Sequence, residues 1–91
     1  MGSSEIIVRK PKQGELEQMG VKNWGIWTCD PSTFDWEYSD RETCYLLEGD
    51  VTVTTAKGEV SFGVGDVVVF PKGLKCVWIV KKAVRKHYQF G

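Results

Sequence analysis

Ninety-one residues carry twelve Lys/Arg against twelve Asp/Glu, which leaves no room for a second folded unit and no net attraction to a polyanion. The longest apolar runs, Val67–Phe70 and Val77–Val80, fall far short of the roughly 20 residues a bilayer span needs. The zero charge is nevertheless a cancellation, since residues 1–50 hold ten acids and five bases and residues 51–91 hold two acids and seven bases.

Met1 to Ser4 are set aside as a disordered N-terminus or a tag remnant, leaving residues 5–91 as one domain. Along it, apolar side chains recur with a period of two in short runs cut by Gly, Pro and Asp, the pattern of many short strands. Strands are predicted near Glu5–Arg9, Trp24–Cys29, Phe34–Tyr38, Glu42–Leu47, Val51–Thr55, Glu59–Phe62, Val67–Phe70, Cys76–Val80 and Val84–Phe90, with one helix over Glu15–Met19. Alternation in Val51-Thr52-Val53-Thr54 points both valines to the core and both threonines to solvent. Lys57-Gly58 suits a hairpin, and Pro71 ends a strand before the turn at Gly73. Strands at this spacing predict an all-β sandwich or barrel.

Two segments resemble the signature motifs of the cupin superfamily. The first motif ends Glu, six residues, Gly, as in Glu42-Thr43-Cys44-Tyr45-Leu46-Leu47-Glu48-Gly49. The second runs Gly, five residues, Pro-x-Gly, two residues, His, three residues, Asn; Gly65 to Val80 keeps every fixed glycine and proline of it. The strings Glu42–Gly49, Phe70-Pro71-Lys72-Gly73-Leu74-Lys75-Cys76-Val77-Trp78 and Arg85-Lys86-His87-Tyr88 are similar to the small single-domain ureidoglycine-aminohydrolase-type cupins. The resemblance implies a cupin jelly-roll barrel, commonly dimeric, often with a metal in the barrel mouth. A homodimer is expected on the same ground, and a core this small favours pairing.

The metal ligands of that family are commonly three His and one Glu. Here the first two His positions fall on Trp36 and Tyr38, or on Asp35 and Glu37 with the longer spacing, and the third is Cys76. Of the ligands only Glu42 remains. The leading ligands for a metal here are Glu42 and Cys76, with Tyr38 or Cys44 behind them, and a thiolate in the set favours zinc.

Alternation and the resemblance place Trp36, Tyr38, Glu42, Cys44, Cys76 and Trp78 around an interior pocket, with Phe34 beside them. Such a chamber suits a small-molecule ligand. Glu42 is either a functional carboxyl or a structural acid bonded to Tyr38 or to backbone N–H. Glu42 and Tyr38 are the leading acid/base candidates, and metal-dependent C–N chemistry like that of ureidoglycine aminohydrolase is the alternative that the resemblance implies. His87, the single imidazole, ranks behind them as a catalytic candidate: by parity with Arg85 and Gln89 it points outward, or into an aqueous barrel mouth, whereas Lys86 shares a face with Val84, Tyr88 and Phe90. Cys29, Cys44 and Cys76 make neither a disulfide framework nor a CxxC site.

Residues 30–50 carry seven acids against Arg41, and residues 72–86 carry six bases and no acid. Adjacent strands would let them neutralise each other, so no nucleic-acid partner is expected. With no apolar signal core at the N-terminus, the expected location is the cytoplasm, or an organelle if the chain is a mature fragment.

Overall fold

The computed structural model describes residues 6–91; Glu5 and the terminus expected over residues 1–4 lie outside them. The chain runs β1 (Ile7–Arg9), α1 (Glu15–Met19), a 3-10 turn at Val21–Asn23, β2 (Gly25–Cys29), β3 (Ser32–Glu37), β4 (Glu42–Thr55), β5 (Gly58–Gly63), β6 (Val67–Phe70) and β7 (Lys75–Phe90). The all-β expectation holds, with every pairing antiparallel.

Two differences from the sequence reading shape the molecule. Glu42–Leu47 and Val51–Thr55 are one strand, and so are Cys76–Val80 and Val84–Phe90. These long strands pair with each other from Glu42↔Phe90 to Thr54↔Val77. The first half of β4 also pairs with β6, and its second half with β5. Likewise β7 pairs with β3 along its first half and β2 along its second. The result is two layers, β1-β6-β4-β7-β2 and β5-β4-β7-β3, with β4 and β7 passing through both.

The crossing is made at a register irregularity between Leu46 and Val51 of β4. Three register shifts fall there, over which β4 advances five residues against six of β7, and the odd step flips the faces of β4. Hence Leu46 and Val51, five positions apart, both point inward and are fully buried. Gly49 sits in this bulge at φ +124°, backbone that a side chain rarely adopts.

The inward faces of both layers meet in one cluster that includes Tyr38, Cys44, Leu46, Val51, Val53, Phe62, Phe70, Trp78 and Val84. Tyr38 stacks on Phe70 at 4.8 Å, and Phe62 and Phe70 both pack on Trp78. Thr52 departs from expectation: it is on the outer face yet only 4% exposed. Its cross-strand neighbours Ser61 and Ile79 flank it, and its hydroxyl pairs with Ser61 Oγ at 2.9 Å. A short side chain on a central strand is covered from both sides. Thr54 is partly exposed.

The short helix is tied to β1 and to the segment before it by polar links. Arg9 bonds Glu15 at 2.6 Å, and the Lys12 backbone N–H donates to the same carboxylate. The Arg9 hydrogen bond, aided by that of Lys12, holds the Glu15 carboxyl down at about 2. Among the described residues no helix is long and apolar enough to cross a membrane.

Candidate functional site

A cavity of about 210 Å³ opens between the layers, lined by Trp27, Phe34, Trp36, Tyr38, Glu42, Trp78, Lys86, Tyr88 and Phe90. Strand pairing explains the set. Trp27 lies opposite Lys86 across β2 and β7, Phe34 opposite Trp78 across β3 and β7, and Glu42 opposite Phe90 across β4 and β7. Tyr38 follows β3, where its N–H donates to Leu74 O at 2.9 Å and its carbonyl accepts from Gly73 N–H at 2.7 Å. The Pro71-Lys72-Gly73 turn of the second cupin motif therefore holds a wall residue of the cavity in place. Gly73 at φ +86° makes that turn.

The rings pack edge to face or stacked: Trp27 against Phe34 and Trp78, Trp36 against Tyr38, and Phe34 parallel to Trp78 at 6.1 Å. Trp78 Nε1–H donates to Tyr38 Oη at 3.2 Å. Burial, then the Glu42 charge, pushes the Tyr38 phenol far above its ordinary value, so it remains protonated.

In this aromatic chamber Lys86 Nζ donates to Glu42 Oε2 at 2.7 Å, and both side chains are 5% exposed. The ammonium also lies 4.9 Å from the Trp27 ring centre and 4.8 Å from that of Trp78. A carboxylate and two indole faces thus replace the water that the ammonium gives up, which is the condition for burying a lysine. The expected partners of Glu42, Tyr38 or backbone N–H, are corrected: the buried acid is held by Lys86.

Of the residues expected around the pocket, Trp36, Tyr38, Glu42 and Trp78 line the cavity, and Cys44 and Cys76 do not. Cys44 is fully buried in the core, and Cys76, 6% exposed, packs in the same cluster. Burial raises the Cys44 thiol to about 12 against the pull of Lys86, and burial raises Cys76 to about 11. Neither is a nucleophile at neutral pH, because the thiolate does the chemistry. Labelling of the native protein at pH 7.5 is expected to be confined to Cys29, which is partly exposed, with all three thiols reacting after denaturation. Fast modification of Cys44 or Cys76 in the native protein, read by peptide mass mapping, would contradict this burial.

His87 lies on the opposite face of β7, paired with Ile26 and Tyr45 and absent from the cavity lining. Its Nδ1 is buried without a hydrogen-bond partner among the described residues. Lys86, Trp27, Tyr88 and Phe90 complete the site beyond the residues singled out from sequence.

A family model described as the EutQ-like cupin domain matches residues 16–88. The chain belongs to the EutQ-like cupin family. Its fold resembles that of a DUF861 family protein from Thermotoga maritima at 46% identity and TM-score 0.93, over 96% of this chain and 100% of that one. A DUF861 protein of Pseudomonas syringae pv. tomato aligns at 28% identity and TM-score 0.67, over 74% of this chain and 29% of that one. The EutQ protein of Clostridium difficile shares the fold at 23% identity and TM-score 0.67, over 93% of this chain and 66% of that one. No functionally curated protein matches the chain.

Many cupins hold a metal at the barrel mouth, and the residues of this EutQ-like cupin do not fit one. Glu42, the lone carboxylate of the cavity, already has an ammonium on Oε2. Both buried thiols stay protonated. Among the described residues no group of three or more His, Cys, Asp or Glu is disposed to hold an ion. Lys86 places its own positive charge against the acid that this motif elsewhere offers to a metal.

The acidic and basic halves also meet. Besides Glu42–Lys86, Glu48 lies 3.9 Å from Arg85, and Glu37 pairs with Lys75 and Asp50 with Lys82 across strands.

Proposed function

We propose that this cupin binds a small, mainly apolar organic molecule in the cavity between its layers. The observation that carries the reading is a chamber of about 210 Å³ whose walls are aromatic and whose one buried ion pair is internally neutral. An engineered apolar cavity of about 150 Å³ holds benzene, so the volume suits one ring with a short substituent. Trp36, 47% exposed and on the lining, forms part of the mouth.

Metal-dependent chemistry of the ureidoglycine aminohydrolase kind has less support, because it asks for an ion at Glu42 where Lys86 stands. The test is a thermal-shift and tryptophan-fluorescence screen against single-ring and fused-ring metabolites. Three of the lining residues are tryptophans, so occupancy reads out directly. A true ligand at ten times its Kd stabilises the fold by about 1.4 kcal/mol, a rise of several degrees in Tm. Trp36→Ala is expected to weaken that ligand at least tenfold with little change in the Tm of the free protein. A screen in which no compound shifts Tm or fluorescence defeats the proposal.

A further inference from the structure

Resting on the reading of the cavity as a small-molecule site, we infer that its ligand is an uncharged planar ring compound presenting an N–H donor beside a carbonyl oxygen, as in a primary amide or a lactam. Two observations carry this. The first is the charge balance. Glu42 and Lys86 neutralise each other at 2.7 Å with 5% of each side chain exposed, and two indole faces flank the ammonium. An anionic ligand would compete with Glu42 for Lys86, and a cationic one would compete with Lys86 for Glu42 and the indoles. Either leaves one buried charge without its partner, a costly arrangement.

The second observation is the hydrogen-bonding capacity left over. Lys86 engages only Oε2 of Glu42, and among the described residues nothing donates to Oε1. Tyr38 Oη accepts the Trp78 indole proton, and among the described residues nothing accepts the Tyr38 phenol proton. Both residues line the cavity, and we place the free carboxylate oxygen and the phenol proton on its wall as one acceptor and one donor. An amide edge supplies the complement: its N–H to the carboxylate oxygen and its C=O to the phenol. A site built for such an edge rejects ligands lacking it, because the unmatched protein groups stay desolvated.

Four probes of one ring size separate the contributions: benzamide, benzoate, benzylammonium and toluene, titrated at pH 7.5 with fluorescence and amide chemical shifts as readouts. Benzamide is expected to bind at least tenfold more tightly than each of the others. Tyr38→Phe and Glu42→Gln are each expected to narrow the margin of benzamide over toluene. Benzoate or benzylammonium binding as well as benzamide overturns the charge argument, and toluene matching benzamide overturns the polar edge. A margin that survives both substitutions overturns the assignment of the edge to Tyr38 and Glu42. Should benzamide fail while other ring compounds of the broader screen bind, this inference falls and the pocket reading stands; should nothing bind in either set, the pocket reading falls as well.

Discussion

Lys86→Met lowers the stability of the folded protein by about 3–5 kcal/mol, the usual loss when one member of a buried ion pair is removed, and lowers Tm by more than about 12 °C for a domain of this size. The loss arises from what remains. Glu42 is 4% exposed, its ammonium partner at 2.7 Å is gone, and no water replaces it cheaply in an aromatic chamber. The contacts of the ammonium with Trp27 and Trp78 are lost too, at about 0.5–2 kcal/mol each. The double variant Glu42→Leu/Lys86→Met removes both charges and is expected to recover most of the stability, since an apolar pair of similar volume often substitutes without loss. Urea and thermal unfolding of the two single variants and the double variant measure the coupling. A Lys86→Met variant within 1 kcal/mol of the parent would mean that Glu42 finds another partner, and the account of the ion pair would fail.

Gly49→Ala costs about 4 kcal/mol, from backbone strain and a collision acting together. At φ +124° an added Cβ would lie 2.8 Å from Val84 Cγ2 and 3.0 Å from Val84 Cα. The second contact is with backbone of β7, which cannot swing aside. Gly58, in the β4–β5 turn at φ +128°, has nothing within 4 Å of its Cβ position. Gly58→Ala therefore reports strain alone, about 1–3 kcal/mol. The difference between the two variants isolates the close approach of β4 to β7 at the bulge. Equal losses would show that Val84 yields and that the crossing is not tightly packed.

The barrel was legible because its punctuation is local. Gly65, Pro71 and Gly73 end and turn strands by their own backbone preferences, and the period-two pattern needs no knowledge of neighbours. What escaped sequence reading depends on pairing. Gly49-Asp50 reads as a turn from residue type, yet β7 continues alongside and makes it a bulge within one strand. Thr52 alternates outward as expected, but its burial is set by Ser61 and Ile79 on adjoining strands.

The same distinction divides the site. Parity brought Trp36, Tyr38, Glu42 and Trp78 to one interior. It also put Lys86 on the face of Val84, Tyr88 and Phe90, but a lysine is almost never buried unless paired, and its partner is 44 residues away. Nothing local announces such a pair. Cys44 and Cys76 have the right facing and the wrong depth for the cavity, because alternation reports direction and says nothing of how far a side chain lies from an opening.

The sharing of β4 and β7 between layers has a kinetic consequence. Their paired residues are separated by 23 positions at Thr54↔Val77 and by 48 at Glu42↔Phe90, so each contact closes a long loop before it is rewarded. Chains dominated by such non-local pairing fold in roughly milliseconds to seconds. Neither layer has a complete set of strands without both long ones, and the cavity draws its walls from β2, β3, β4 and β7. The cavity is therefore formed in the same step as the global fold, and a half-assembled chain does not enclose it.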